Sequence, residues 1–160
     1  MTTTTLPRPS IKKGRALLVA GFRQAYRPGQ TANGIPRQWR RLTPYFDSLR
    51  NRVGSVAYGL VCSSDEFGNS EYMCGIEVSD FAGLPPELDR LRLPDQTYAV
   101  FTHEGHVSTV QRTWEGIWDD WYPYSGYEAA DTPDFERYDE TFNPETGVGG
   151  IEIWFPIVKD

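Results

Sequence analysis

The sequence predicts an α+β domain. Two βαββ repeats join into one antiparallel sheet, with the helices on one face and a cleft along the pseudo-twofold axis. Three observations carry that prediction. Strand-like and helix-like runs follow one another as strand, helix, strand, strand, twice over. One offset of 75 residues relates the halves, taking Trp39 to Trp114, Leu42 to Ile117, Phe46 to Trp121, and Gly75-Ile76-Glu77 to Gly150-Ile151-Glu152. A chain of 160 residues suits one domain. Half of it is too small to bury a sheet face well, so the halves are expected to join edge to edge.

Each element follows from local pattern. Residues 14–22 (GRALLVAGF) are an apolar run of strand length, after a Thr-rich tail expected to be disordered over residues 1–11. Pro28, Gly29, Asn33 and Gly34 mark a loop, and Pro36 suits the first turn of a helix. Trp39, Leu42 and Phe46 recur at helical spacing until Pro44 stops or kinks the helix at Thr43, with a short second helical piece running toward Arg50. VAYGLVC (56–62) and EYMCGIEV (71–78) flank the turn residues DEFGN, a hairpin. The Pro-rich stretch 83–94 reads as the linker between halves at 12–82 and 95–158. The second half gives a strand at 97–103 and a helix at 107–121 with Val110, Trp114, Ile117 and Trp121 on one face and Ser108 as N-cap. Strands at 135–140 and 151–158 then enclose the hairpin connection NPETGVGG.

Composition narrows the function classes. The formal net charge is −6, and no basic tract offers phosphates a footing, so direct nucleic-acid binding is not expected. No apolar run approaches a membrane span, and the N-terminus resembles neither a signal peptide nor a lipidation signal, so a cytoplasmic protein with no membrane partner is expected. Cys62 and Cys74 sit on predicted hairpin partners, where a bridge is conceivable, but two reduced, buried thiols are the expectation. Neither the cysteines nor His103-Glu104-Gly105-His106 has metal-ligand spacing, and the histidines are expected to hydrogen-bond locally where the second helix starts. Phosphate-loop, dinucleotide and nucleophile-elbow motifs are missing, Ser79-Asp80 with the two histidines makes no triad pattern, and no cofactor is expected.

Aromatic residues make up 14% of the chain, including 5 Trp, more than a core of this size demands. Strand alternation sends Ile151, Ile153, Phe155 and Ile157 toward the helices and Glu152 and Trp154 to the other face, expected to stay open as a cleft. Cys74, Ile76 and Val78 likewise face the helices and Glu77 the cleft, while Glu136 and Tyr138 share a face. A carboxylate among aromatic rings can hold an organic cation through opposite charge, apolar contact and cation–π attraction. It could also do acid–base work if burial raised its pKa. The candidate ligand-binding set is Glu136, Tyr138, Glu152, Trp154, Glu77, Trp118, Tyr58 and Phe101. Trp118 lies off the apolar helical stripe and so could edge the cleft.

The run YAVFTHEGHVSTVQRTWEGIWDDW followed by PDFERYDETFNPETGVGGIEIWFPI resembles the C-terminal half of the gyrase-inhibitor-like (AraC-type) effector-binding domains. IPRQW and VAYGLV…YMCGIEV add similarity to stand-alone bacterial members, so the resemblance spans residues 12–158. It implies a cleft for small, often cationic and aromatic compounds, with a Glu in the FERY strand and residues of the final strand lining it: Glu136, Tyr138, Glu152 and Trp154 here. Sensing or sequestering a small organic ligand is the reading this favours. Two others stay open: a hydrolase of a reactive electrophilic natural product, using Glu136 and Glu152, and a protein-binding inhibitor module with a protein partner or self-association.

Overall fold

The computed structural model describes residues 6–158. In chain order the elements are β1 (Ser10–Gly14), β2 (Leu17–Tyr26), α1 (Thr31–Leu42), β3 (Arg52–Ser64), β4 (Ser70–Val78), β5 (Asp89–Leu93), β6 (Gln96–His103), α2 (Val110–Gly116), β7 (Glu128–Ala129), β8 (Asp134–Tyr138) and β9 (Ile151–Val158). All strands belong to one antiparallel sheet in the order β1-β6-β9-β8-β3-β4-β2-β5, with β7 also pairing β9.

The order displays the duplication. β6-β9-β8 mirrors β2-β4-β3 about the central β8–β3 pair. Ala57 pairs with Ile76, Tyr138 pairs with Ile151, and the two isoleucines are repeat equivalents. Ala57 and Tyr138 are therefore equivalent too, and they pair with each other, so the pseudo-twofold axis passes between them. The two short strands extend the symmetry by exchange: β1 of the first half pairs with β6 of the second, and β5 of the second pairs with β2 of the first.

Several boundaries differ from the sequence reading. Residues 14–22 do not form one strand, because the chain crosses between β1 and β2 at Arg15-Ala16. Ser10 and Ile11, expected in the tail, are paired in β1, and Leu6 packs on the α2 core; residues 1–5 of that tail lie outside the described residues. The Pro-rich linker contains β5, which the hydrogen-bonding edge of β2 recruits as a strand. α1 begins at Thr31, so Pro36 lies inside the helix at the cost of one intrahelical bond. The helix does stop before Pro44, and the second helical piece amounts to one 3-10 turn, Thr43–Tyr45. The expected 107–121 helix is a 3-10 turn, then α2, then a π turn at Ile117–Trp121. His106, not Ser108, caps its start, its Nδ1 accepting from the Ser108 N–H at 3.0 Å. His103 also bonds locally, with Nε2 donating to the His106 carbonyl at 3.0 Å and Nδ1 accepting from the Thr113 hydroxyl at 2.7 Å.

Both helices lie on one face. α1 covers β2 and β4 through Ala20, Phe22, Leu42, Cys74 and Ile76, all buried. α2 covers β6 and β9 through Ala99, Phe101, Trp114, Ile117, Ile153 and Phe155. The other face, expected to stay open, is closed. One apolar cluster joins Val19 and Leu93 from one end of the strand order to Tyr98 and Val100 from the other, each at most 4% exposed. The sheet must curl to bring them together. The two crossover connectors meet there, the Ala16 N–H donating to Asp95 Oδ1 at 2.7 Å. Curling lets a sheet without a second helical layer bury both faces. Cys74 packs in the α1 cluster and Cys62 against the enclosed one, so the conceivable disulfide is not formed and both thiols are free.

Candidate functional site

α1 covers β2 and β4 and α2 covers β6 and β9, so the central pair, β3 and β8, lies between the helices as the floor of an interhelical strip, called the groove below. Alternation along β8 turns Asp134, Glu136 and Tyr138 into this groove and Phe135 and Arg137 into the enclosed cluster. Opposite them on β3 stand Val61, Gly59 and Ala57, all small. Acidic side chains on the helix-bearing face of a sheet are unusual, because that face normally belongs to the core.

Glu136 is held by groups from both elements beside it. Its Oε2 accepts from Trp114 Nε1 of α2 at 2.8 Å, and its Oε1 accepts from the Tyr138 hydroxyl. Tyr138 meets Trp39 of α1 edge-on with ring centroids 5.7 Å apart, and meets Phe142 at 5.0 Å. Trp39 Nε1 in turn donates to the Tyr72 hydroxyl at 3.0 Å. Two tryptophans related by the repeat thus send their indole N–H groups to the groove floor, and one of them meets a carboxylate. Burial pushes the Glu136 pKa up, while hydrogen bonds from Tyr138 and Trp114 oppose the shift. The Tyr72 and Tyr138 phenols are pushed well above their ordinary range, chiefly by burial, so both remain hydrogen-bond donors at neutral pH.

Gly59 is required by this packing. A Cβ there would lie 2.1 Å from the Tyr72 hydroxyl oxygen, and Tyr72 is only 6% exposed and cannot swing away. Gly59→Ala is expected to cost about 1–3 kcal/mol through overpacking and the strained Trp39–Tyr72 bond, a loss checked by urea denaturation.

Asp134 lies one strand repeat from Glu136 on the same face, and burial raises its carboxyl pKa to about 7. The folded protein then keeps a proton at Asp134 that the unfolded chain releases once the pH passes its ordinary value of 3.8. The Asp134 contribution to stability should fall as pH rises from about 4 to about 7 and level off above, by a few kcal/mol. Thermal midpoints at pH 5 and pH 7.5 check this. The difference should shrink in Asp134→Asn, which has no proton to lose.

The eight sequence-derived candidates divide between the faces. Glu136 and Tyr138 meet in the groove. Trp118 lies on the same side, 44% exposed on the π turn, with its ring 5.0 Å from Phe155 and 5.3 Å from Tyr122. Phe101 is fully buried beneath α2 against Trp121 at 5.0 Å and lines nothing open. Glu152, Trp154, Glu77 and Tyr58 face the enclosed cluster instead. Glu136 pairs in register with Ile153, so alternation excludes Glu152 from the groove. Glu152 Oε1 accepts from Trp154 Nε1 at 3.2 Å and faces Arg137 at 3.5 Å. The Trp154 ring stacks on Phe135 at 5.6 Å. Glu77, 6% exposed, is paired to Arg15 of the β1–β2 crossover at 2.7 Å, and Tyr58 packs edge-on against Phe135 at 5.4 Å. The two repeat-matched glutamates therefore both have arginine partners, Glu77 the largely exposed Arg15 and Glu152 the half-buried Arg137.

Trp39 and Trp114 pack on the two helix-covered clusters, as expected, and also send indole N–H groups to Tyr72 and Glu136, while Asp134 and Tyr72 were not among the candidates. The available signal was the alternating Asp134-x-Glu136-x-Tyr138, which places polar groups on one face of a strand buried between helices. A separate groove of about 520 Å³ lies at the ends of β2–β4, lined by Arg27, Asp65 and Glu71 among others. Its carboxylates are engaged, Asp65 by its own turn and Glu71 by Arg23. Among the described residues, no helix is long and apolar enough to cross a membrane.

Comparison with known proteins agrees with this architecture. A family model described as the GyrI-like small molecule binding domain matches residues 7–158. The transcriptional regulator BrlR of Pseudomonas aeruginosa is 30% identical over 132 residues, covering 81% of this chain, which spans 47% of that regulator's length. SAV2435, solved bound to tetraphenylphosphonium, superposes with a TM-score of 0.73 at 23% identity over 95% of this chain and 94% of its own. EcmrR, solved in a complex with DNA, gives a TM-score of 0.69 at 15% identity over 96% of this chain and 58% of its own. The sheet with its two helices is the fold these structures share, and the chain belongs to the family of GyrI-like small-molecule-binding domains.

Proposed function

We propose that this domain binds lipophilic, aromatic organic cations in the groove between α1 and α2, with Glu136 as the counter-charge, and that it acts as a sensor or sequestering module. The observation that carries this reading is the Glu136 carboxylate, placed on the helix-bearing face of the sheet and oriented by Trp114 and Tyr138 within a ring of aromatics. Aromatic faces attract a delocalised cation, and a carboxylate in a poorly hydrated groove interacts with it more strongly than it would in water. Both hydrogen-bond donors to Glu136 are neutral, so neither balances its charge. The bound tetraphenylphosphonium of SAV2435 supports the ligand class, and BrlR supports a regulatory role.

Titration calorimetry with tetraphenylphosphonium, against neutral triphenylphosphine oxide, tests it. Saturable binding of the cation, at least tenfold tighter than the neutral compound, and recovery of the ligand with unchanged mass are the expected results. Equal affinity for the two, or no binding of the cation, would overturn the reading. A ligand recovered with the mass of one added water would replace it with hydrolysis.

A further inference from the structure

The groove holds a second carboxylate whose situation differs from that of Glu136. Asp134 and Glu136 project to the same side of β8, separated by one strand repeat, roughly 6–7 Å. Glu136 already accepts hydrogen bonds from Trp114 and Tyr138. Among the described residues, no side chain donates to Asp134, which is half-buried, lies across from Val61 on β3, and has Glu136 as an acidic neighbour. Continuing the β8–β9 register by one residue beyond the Phe135–Trp154 pair sets Asp134 beside Phe155. The rings of Trp118 and Tyr122 stand 5.0 and 5.5 Å from Phe155. Trp118 is one helical turn beyond Trp114, so the aromatic wall from α2 runs past both carboxylates.

The two ends of this strip ask for different chemistry. A carboxylate whose oxygens already have donors serves as a diffuse counter-charge, suited to a cation with no hydrogens to give. A half-buried carboxylate to which no side chain donates keeps lone pairs free for an N–H group, and charge-assisted hydrogen bonds are the strong ones. We propose that Asp134 is a specificity-determining residue of the groove, selecting aromatic cations that carry N–H donors, such as aminoacridinium-type amines and amidines, over cations of the same shape that carry none. This rests on the cation-binding reading of the groove, and names the ligand chemistry within it. The raised carboxyl pKa of Asp134 fits a carboxylate to which no side chain donates.

A matched pair of fluorescent tricyclic cations makes the test. 9-Aminoacridinium carries N–H donors, and 10-methylacridinium has none. Dissociation constants for both are measured at pH 7.5 by fluorescence titration for the full chain and for Asp134→Asn, Asp134→Val and Glu136→Gln, with thermal midpoints confirming that each variant is folded. The wild type should favour 9-aminoacridinium. Both Asp134 variants should cut that preference by about tenfold or more, the size of one charge-assisted hydrogen bond. Glu136→Gln should weaken both cations together. A preference unaltered by both Asp134 variants, or missing in the wild type, overturns the role of Asp134 and leaves the cation groove standing. Failure of the wild type to bind either cation, or of Glu136→Gln to weaken either, overturns the cation groove itself, and the selectivity with it.

Discussion

Glu136→Gln lowers the affinity for tetraphenylphosphonium by about 10- to 100-fold in the expected calorimetric result, while the variant stays folded. The substitution keeps shape and removes charge. Gln can still accept from Trp114 Nε1, and its amide can be oriented to meet the Tyr138 hydroxyl, so the hydrogen-bonded frame of the groove survives. What is lost is attraction between a carboxylate and a cation about 6 Å away, close to 3 kcal/mol at an effective dielectric constant of about 20. Unfolding stability should not drop with it. Burial disfavours the charged form of Glu136 in the native state, so a neutral residue removes a penalty rather than a support. Lower affinity together with an unchanged or higher thermal midpoint separates a ligand role from a structural one. A lower midpoint with intact affinity would show that Glu136 serves the fold.

Phe101→Ala gives the opposite pattern. Phe101 is fully buried in the α2 cluster, edge-on to Trp121, on the strand that pairs β9 with β1. Truncation removes a large apolar surface and leaves a cavity that the sheet backbone cannot collapse to fill. The expected cost is about 3–5 kcal/mol. For a domain of this size that is a fall of roughly 6–20 °C in thermal midpoint. Calorimetric scanning checks it, and the ligand affinity of the fraction still folded should be that of the wild type. Affinity lost without loss of stability would return Phe101 to the ligand set, where the sequence reading had placed it.

Some of this was legible in the chain because it is local. Ile151, Ile153, Phe155 and Ile157 alternate along one strand, and the face they share is the one under the helices, as expected. Leu42 and Ile117, repeat equivalents on their helices, are both fully buried. The end of α1 before Pro44 follows from the missing amide and the ring's clash with the preceding turn. Periodicity, punctuation and the repeat offset are properties of neighbouring residues, and they sufficed for most of the elements and for the duplication, while the family was legible in the resemblance of the FERY and GIEIWFPI motifs.

What tertiary structure decided depends on pairings between distant segments. Glu136 and Glu152 were expected to line one cleft, as the family resemblance implied. Only the register of β8 on β9 shows them on opposite faces, since a shift of one residue would exchange every side chain. β1 and β5 were hidden in a tail and a linker, because their pairing is with the other half of the chain and leaves no local periodicity to read. The curl of the sheet, which converts the expected open face into a closed core, accompanies that exchange, and the β1–β2 crossover brings Arg15 to Glu77, while Glu152 meets Arg137 as its cross-strand partner. The sequence by itself determined the strand-helix-strand-strand core of each half and that it occurs twice. The tertiary structure decided which face of the sheet is closed into a second core, because that depends on how two edges meet, and no stretch of chain contains both.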